Sequence, residues 1–258
     1  MRCYNKTMKK IVLAIIGLCV CLLVGTLIYT TYTRPKKTIS SSPVASEPKK
    51  NQTEAFNLSA NSLTEPTSIW VIVNKHHPLP VDFVPELTVP DVNLRLNSSE
   101  EQMQINTTTA PAIKDLFTAA KKDNINLVFG SGYRSGKLQT KFYTDYVAKD
   151  GVAQADTYSA RPGFSEHQSG FSADIVSENS NCNMQICWAD TTEGKWLDQN
   201  AYKFGFVIRY PLDKQSITGY QYEPWHIRYV GKDLALQIKK SNQTLEEFFK
   251  LEPAPTYN

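Results

Sequence analysis

The hydrophobic positions of this chain recur with two periods, and each period predicts one type of element. In the segment APAIKDLFTAAKKDN, residues Ile113, Leu116, Phe117 and Ala120 recur at intervals of three and four. That spacing is typical of an amphipathic helix, here with Pro111 in its first turn. Short runs rich in β-branched and aromatic residues, ended by turn residues, predict strands instead.

The same two patterns assign the other elements. Ser135 is expected to cap a helix, and Gly205 is expected to end one. Further helices are predicted at residues 136–150, 193–205, 233–240 and 245–250, and strands at residues 69–73, 125–133, 171–176, 206–211 and 225–230. Because strands and helices do not alternate strictly, the order favours an α+β domain with a mainly antiparallel sheet flanked by helices.

An uncharged apolar run precedes this domain. Residues 11–32 are long enough to cross a bilayer as a helix, and Lys9 and Lys10 lie just before them. We therefore expect a cytoplasmic N-terminus at residues 1–10, a transmembrane anchor at 11–32, a flexible linker at 33–67 and a single extracellular catalytic domain at 68–258. The expected location is the cell membrane, with one pass. A cleaved signal peptide and a cytosolic protein remain as alternatives.

Charge excludes one class of partner. The chain of 258 residues carries 28 Lys and Arg against 25 Asp and Glu, and much of the basic excess lies in the first 50 residues. The remainder is net acidic, without a basic stripe interleaved with aromatic residues, so we expect no binding to nucleic acid. No coiled-coil pattern indicates more than a monomer.

Cysteine usage agrees with an exported domain. Cys3, Cys19 and Cys21 lie in or beside the predicted anchor, which leaves Cys182 and Cys187 as a pair in the exported part. In an oxidising compartment such a pair predicts a local disulfide, with two free thiols as the alternative. Zinc ligation by this pair is disfavoured, because no histidine or further cysteine lies nearby in sequence.

Four residues could carry hydrolytic chemistry. A catalytic zinc site takes three nitrogen or oxygen ligands and leaves one position for water. His167, Asp174 and His226 could supply the ligands, and Glu223, three residues before His226, could act as general base. Asp174 would project from a strand, which gives a rigid placement. The spacing alone is weak, because a single histidine is more often a surface or core residue.

Two longer motifs strengthen this interpretation. SEHQSGFSAD resembles the Ser-x-His-x-x-Gly-x-Ala-x-Asp signature, and EPWH resembles the Glu-x-Trp-His signature, of the zinc D-alanyl-D-alanine carboxypeptidases. The similarity is greatest to VanY-type enzymes and the related L,D-carboxypeptidases of Gram-positive cell walls. It extends through VNKHHPLP, SGYRS, KFGFVIRYP and HIRYVG, and so covers residues 69–250. One position departs from the signature, because Ser172 replaces its alanine; we expect the zinc site to survive this change.

The resemblance implies a role for each matching residue. It implies one Zn²⁺ bound by His167, Asp174 and His226, with Glu223 as the catalytic base. It also implies that Arg134 stabilises the developing oxyanion or holds the substrate, a role suited to a permanently charged guanidinium.

Weaker roles follow for several neighbouring residues. Gln139 and Ser165 are candidate substrate-binding residues, although Ser165 could instead brace the histidine loop. Trp225 is expected to pack beneath the site, and neither His76 nor His77 is expected to bind metal.

The implied function is removal of the C-terminal D-alanine from peptidoglycan stem peptides or their precursors. The metal motif does not separate this activity from L,D-carboxypeptidase cleavage of tetrapeptide stems. A catalytically silent wall-binding module is the alternative from a different class, disfavoured because all three ligands and the base are present.

Overall fold

The computed structural model describes residues 56–95, 99–178 and 180–258. The predicted anchor at residues 11–32 and most of the predicted linker lie outside these residues. Within the described ranges, none of the helices combines the length and the apolarity that crossing a bilayer requires.

Six strands form two sheets within the described residues. In chain order they are β1 Leu87–Thr88, β2 Ile105–Asn106, β3 Val128–Ser131, β4 Ser172–Val176, β5 Phe206–Ile208 and β6 His226–Tyr229. β1 and β2 pair antiparallel, and the larger sheet has the order β3-β4-β6-β5 with every neighbouring pair antiparallel. The predicted α+β class with an antiparallel sheet is confirmed.

Seven α-helices and four short 3₁₀ helices surround the sheets in the described ranges. The α-helices are α1 Ala110–Lys122, α2 Gly136–Asp150, α3 Val152–Ala155, α4 Thr192–Asn200, α5 Gln215–Thr218, α6 Lys232–Ser241 and α7 Leu245–Phe248. The 3₁₀ helices are Glu101–Met103, Glu166–Ser169, Ile186–Asp190 and Ala201–Phe204.

The core lies between α1 and one face of the larger sheet. Ile113 and Leu116 of α1 are fully buried in one cluster with Phe129, Ile175 and Ile227 of three adjacent strands. Every residue of β4 is buried, so β4 is a central strand and gives a rigid support to any side chain that it carries.

Two predicted helix ends are confirmed. The Ser135 hydroxyl accepts a hydrogen bond from the Leu138 amide at 3.1 Å and caps α2. The predicted helix at 193–205 is α4 followed directly by the 3₁₀ helix Ala201–Phe204. It ends at Gly205, whose φ of 90° lies in the left-handed region that favours glycine.

The predicted strand at residues 69–73 is wrong. Its carbonyls are bound by a side chain instead of a neighbouring strand, because the buried guanidinium of Arg228 donates to Ile69 O at 3.1 Å and to Val71 O at 2.8 Å. The Ile72 amide donates to Leu63 O at 2.9 Å. The segment is therefore a buried irregular connection.

The compact unit begins earlier than the predicted domain boundary at residue 68. It starts at Phe56. The Phe56 ring stacks on Trp70, with ring centroids 5.6 Å apart, and makes an edge contact with Phe248 at 5.7 Å. Residues 56–67 fall in the predicted linker because they are poor in large apolar residues, but the Phe56 ring attaches the start of this segment to the domain.

Candidate active site

Three side chains from three elements converge at one end of the larger sheet. Asp174 on β4 and His226 on β6 are direct cross-strand partners, and His167 comes from the 3₁₀ helix Glu166–Ser169. His167 Nε2 lies 3.4 Å from Asp174 Oδ2, and His226 Nδ1 lies 3.5 Å from Asp174 Oδ1. The three candidate ligand atoms all lie within 4.8 Å of one another.

A backbone contact fixes the orientation of the His167 ring. Its Nδ1 lies 2.6 Å from Gly132 O, so Nδ1 donates to that carbonyl and Nε2 is left facing Asp174. The Gly132 backbone is itself tightly enclosed, since a Cβ there would lie 2.2 Å from Gln104 O and 2.6 Å from Phe129 Cζ. Only glycine allows this approach, which places the carbonyl that orients the ring.

The donor set fits zinc. Two imidazole nitrogens and one carboxylate oxygen form a common zinc ligand set, and ligands at zinc–ligand distances of 2.0–2.1 Å on a tetrahedron lie about 3.3 Å apart. His167 Nε2 and His226 Nδ1 lie at separations close to that value from Asp174, each from a different oxygen of the carboxylate. His226 Nε2 is buried without a hydrogen-bond partner among the described residues, and its nearest carboxylate is Glu166 Oε2 at 3.7 Å.

The site shifts the pKa values of all three donors. Burial alone would raise the pKa of Asp174, but attraction to His167, His226 and Arg134 holds it well below its ordinary value. Burial lowers the pKa of His167. Burial would lower the pKa of His226 as well, but Glu166, Glu223 and Asp174 raise it to about 9.

Glu223 lies where a general base would be needed. It precedes β6 in a turn closed by the His226 amide, which donates to Glu223 O at 3.1 Å. Its Oε2 lies 3.4 Å from His226 Nδ1, and its side chain is 11% exposed toward the cavity. Burial raises the pKa of Glu223, which strengthens the carboxylate as a proton acceptor.

Arg134 brings a positive charge to the same site. Its Nη2 lies 3.8 Å from Asp174 Oδ2, and its Nη1 donates to Gln139 Oε1 at 2.9 Å. The Arg134 Nε–H is buried without a partner among the described residues. Because Arg134 lines the cavity, the guanidinium can donate to a bound anionic group.

The two weaker candidates differ in position. Gln139 is buried outside the cavity lining; its Oε1 accepts from Arg134 and its Nε2 donates to Ala160 O at 2.6 Å, so it orients Arg134, and its contact with substrate stays a prediction. Ser165 is buried and does line the cavity, two residues before His167. Trp225 belongs to the core cluster and also lines the cavity. His77 lies outside the three-residue cluster, with its Nδ1 at 3.0 Å from Asn74 Oδ1.

Together these side chains line a cavity of about 200 Å³. The donors, Glu223 and Arg134 share it with aromatic and small side chains from the surrounding loops and from α2. The lining residues are Arg134, Tyr146, Tyr158, Ser159, Ala160, Ser165, Glu166, His167, Asp174, Met184, Tyr210, Tyr220, Gln221, Glu223, Trp225 and His226.

A buried charge network behind His226 was missed from the sequence. The Glu166 carboxylate accepts from Arg209 Nε and from Arg228 Nη1, both at 2.7 Å, and Arg209 also binds Glu246 at 2.6 and 3.0 Å. The Ser172 hydroxyl donates to Glu166 Oε2 at 3.1 Å, so the departure from the signature adds a donor to this network. The available signal was an arginine within each apolar run FVIRYP and WHIRYV.

Comparison with known proteins agrees with this geometry. The model of the VanY family, described as D-alanyl-D-alanine carboxypeptidase, matches residues 102–232 and so spans both zinc signatures. The YodJ protein of Bacillus subtilis (strain 168) is 40% identical over 190 residues, which cover 73% of this chain and 70% of that protein.

Two groups of solved structures are similar. The LdcB LD-carboxypeptidase is 41% identical with a TM-score of 0.68, over 72% of this chain and 87% of that one. A VanY D,D-pentapeptidase variant from a VanB-type resistance cassette, in complex with Zn(II), is 34% identical with a TM-score of 0.57. The match covers 71% of this chain and 99% of that one. The sequence match and the fold lead to one conclusion: this chain belongs to the VanY family of carboxypeptidases.

Proposed function

We propose that this protein is a zinc-dependent D-alanyl-D-alanine carboxypeptidase that removes the C-terminal D-alanine from peptidoglycan stem peptides or their precursors. The observation that carries the proposal is the convergence of His167, Asp174 and His226 in one cavity with Glu223 and Arg134. The family model that matches residues 102–232 bears the name of this activity.

Each residue at the site has a defined task in the proposed reaction. His167, Asp174 and His226 hold the zinc ion. When bound, zinc supplies Lewis acidity and a lowered pKa of water. Glu223 takes the proton from the attacking water and passes it to the leaving amine. Arg134 donates to the negative charge that develops on the scissile carbonyl oxygen or to the substrate carboxylate.

One specific observation favours a second candidate, L,D-carboxypeptidase cleavage of tetrapeptide stems. The LdcB LD-carboxypeptidase is 41% identical to this chain, with a TM-score of 0.68. The same three ligands and the same base serve either reaction, because both reactions hydrolyse the peptide bond to a C-terminal D-residue and differ in the residue before that bond. The remaining walls of the cavity decide which peptide fits.

The test is cleavage of synthetic stems by the purified, zinc-loaded full chain. Pentapeptide and tetrapeptide stems are incubated separately, and the released residue is identified by mass spectrometry. D-Alanine released from the pentapeptide supports the D,D activity, and release from the tetrapeptide alone supports the L,D activity. If D-alanine is released from neither peptide, the remaining alternative is the catalytically silent wall-binding module. Glu223→Gln is the matched control, expected to bind zinc at wild-type stoichiometry without turnover.

We propose that the enzyme works at the outer face of the cell membrane, tethered by residues 11–32 through a linker. The uncharged apolar run supports this location, and so does the disulfide between Cys182 and Cys187, a bond found mainly in exported proteins. Proteolysis of intact cells checks it, since only an exported domain would be degraded. We further propose that the protein acts as a monomer on its peptide substrates.

A further inference from the structure

The segment that follows β4 returns to the cavity as a closed loop. The Cys182–Cys187 disulfide, predicted from the sequence, is present and closes a ring of six residues. Asn183 attaches this ring to the end of β4, because its Oδ1 accepts from the Ser177 amide at 2.9 Å and its Nδ2 donates to Ser177 O at 2.6 Å. The ring is therefore anchored to the strand that carries Asp174.

Met184 lies within the ring and lines the cavity that contains the metal donors. Its φ of 56° lies in the left-handed region, which few residues other than glycine adopt. Its Sδ lies 3.9 Å from Arg95 Nη1, and its partly buried side chain packs against the main core cluster. Met184 is the one long aliphatic side chain among the described residues that line this cavity.

We propose that Met184 is a specificity-determining residue whose thioether contacts the apolar atoms of the bound peptide, and that the Cys182–Cys187 ring holds it in place. This inference rests on the proposed function. A methionine adapts its shape to an apolar surface at little cost. The ring removes most of the loop's freedom before substrate arrives, which reduces the ordering cost of binding.

The alternative is that the disulfide only stabilises the fold. That role predicts a lower unfolding midpoint for a variant without the bond and no change in KM. The role proposed here predicts a higher KM with little change in kcat, because the contact is made away from the reacting bond and is equal in ground and transition states.

Three variants of the full chain separate these roles on the stem peptide that the wild type cleaves. Met184→Ala is expected to raise KM roughly fivefold to tenfold, as expected for the loss of one apolar contact, with kcat within about twofold. The double variant Cys182→Ser/Cys187→Ser is expected to raise KM as well. Ile186→Ala is the matched control, because Ile186 lies in the same ring, is 55% exposed and is absent from the cavity lining. Its KM should equal that of the wild type.

Zinc content measured for every variant shows whether the metal site is intact. An unchanged KM for Met184→Ala, with wild-type zinc content, would overturn the inference and leave the proposed function standing. A rise in KM equal to that of Ile186→Ala would overturn it as well. If the zinc-loaded wild type cleaves neither stem, the proposed function fails, and this inference fails with it.

Discussion

Replacing Glu166 by glutamine tests the buried charge network behind the metal donors. In the folded protein two carboxylates, Glu166 and Glu246, balance two guanidiniums, Arg209 and Arg228, and all four side chains are excluded from solvent. Glu166→Gln keeps the volume but removes one negative charge. Arg209 retains Glu246, whereas Arg228 retains only hydrogen bonds to backbone carbonyls.

The magnitude follows from this loss of balance. Breaking a buried ion pair by removing one partner costs about 3–5 kcal/mol, because the other charge stays buried without compensation. We therefore expect Glu166→Gln to lower the free energy of unfolding by about 3 kcal/mol or more. A stable domain has only about 5–15 kcal/mol in total, so the variant should be close to unfolding at 37 °C.

The assay is urea denaturation of the zinc-free full chain, followed by circular dichroism at neutral pH. Asp91→Asn is the control, since it breaks a pair with Lys114 in which both side chains are more than half exposed, and its unfolding midpoint should match the wild type. If Glu166→Gln unfolds within about 1 kcal/mol of the wild type at an equal m-value, the reasoning on charge balance is wrong.

Three further predictions concern the site. Because the pKa of His226 is raised to about 9, its ring carries a proton at pH 7, and zinc binding at that pH should displace this proton, as measured by calorimetry in buffers of different ionisation enthalpy. Arg209 and Arg228 lower the pKa of Glu166 against the effect of burial. The stability that this carboxylate contributes is therefore present above pH 4.5, which is its ordinary pKa, and is lost as the solution becomes more acid. Wild-type stability should therefore fall more steeply below pH 4.5 than that of Glu166→Gln, in urea titrations. Gly132→Ala should weaken zinc affinity roughly tenfold or more in a chelator competition, because the added Cβ displaces the carbonyl that orients His167. Equal affinity would contradict that role.

The sequence was most informative where local pattern determines structure. The spacing of Ile113, Leu116 and Ala120 predicted α1 to within two residues, and the alternation of FSADIV predicted β4. The signatures identified three residues that the fold does bring together. Their convergence could not be worked out from spacing, because His226 lies 52 residues beyond Asp174.

The features that the sequence did not predict share one physical cause: a side chain binds groups that lie far from it in sequence. Residues 69–73 have strand composition, but Arg228, more than 150 residues away, takes their carbonyls. Nothing local in Glu166 indicates that two guanidiniums meet it, one from β6 and one from the residue that follows β5.

The pairing of Asp174 with His226 across β4 and β6 limits how this enzyme can change. Side chains alternate between the two faces of a strand, so one residue inserted into either strand would turn its donor to the opposite face while the backbone ladder re-formed. Length changes within β4 and β6 should therefore be forbidden. The intervening chain, residues 177–225, can gain or lose residues at its surface turns without moving either donor, and lineages can remodel the substrate pocket there.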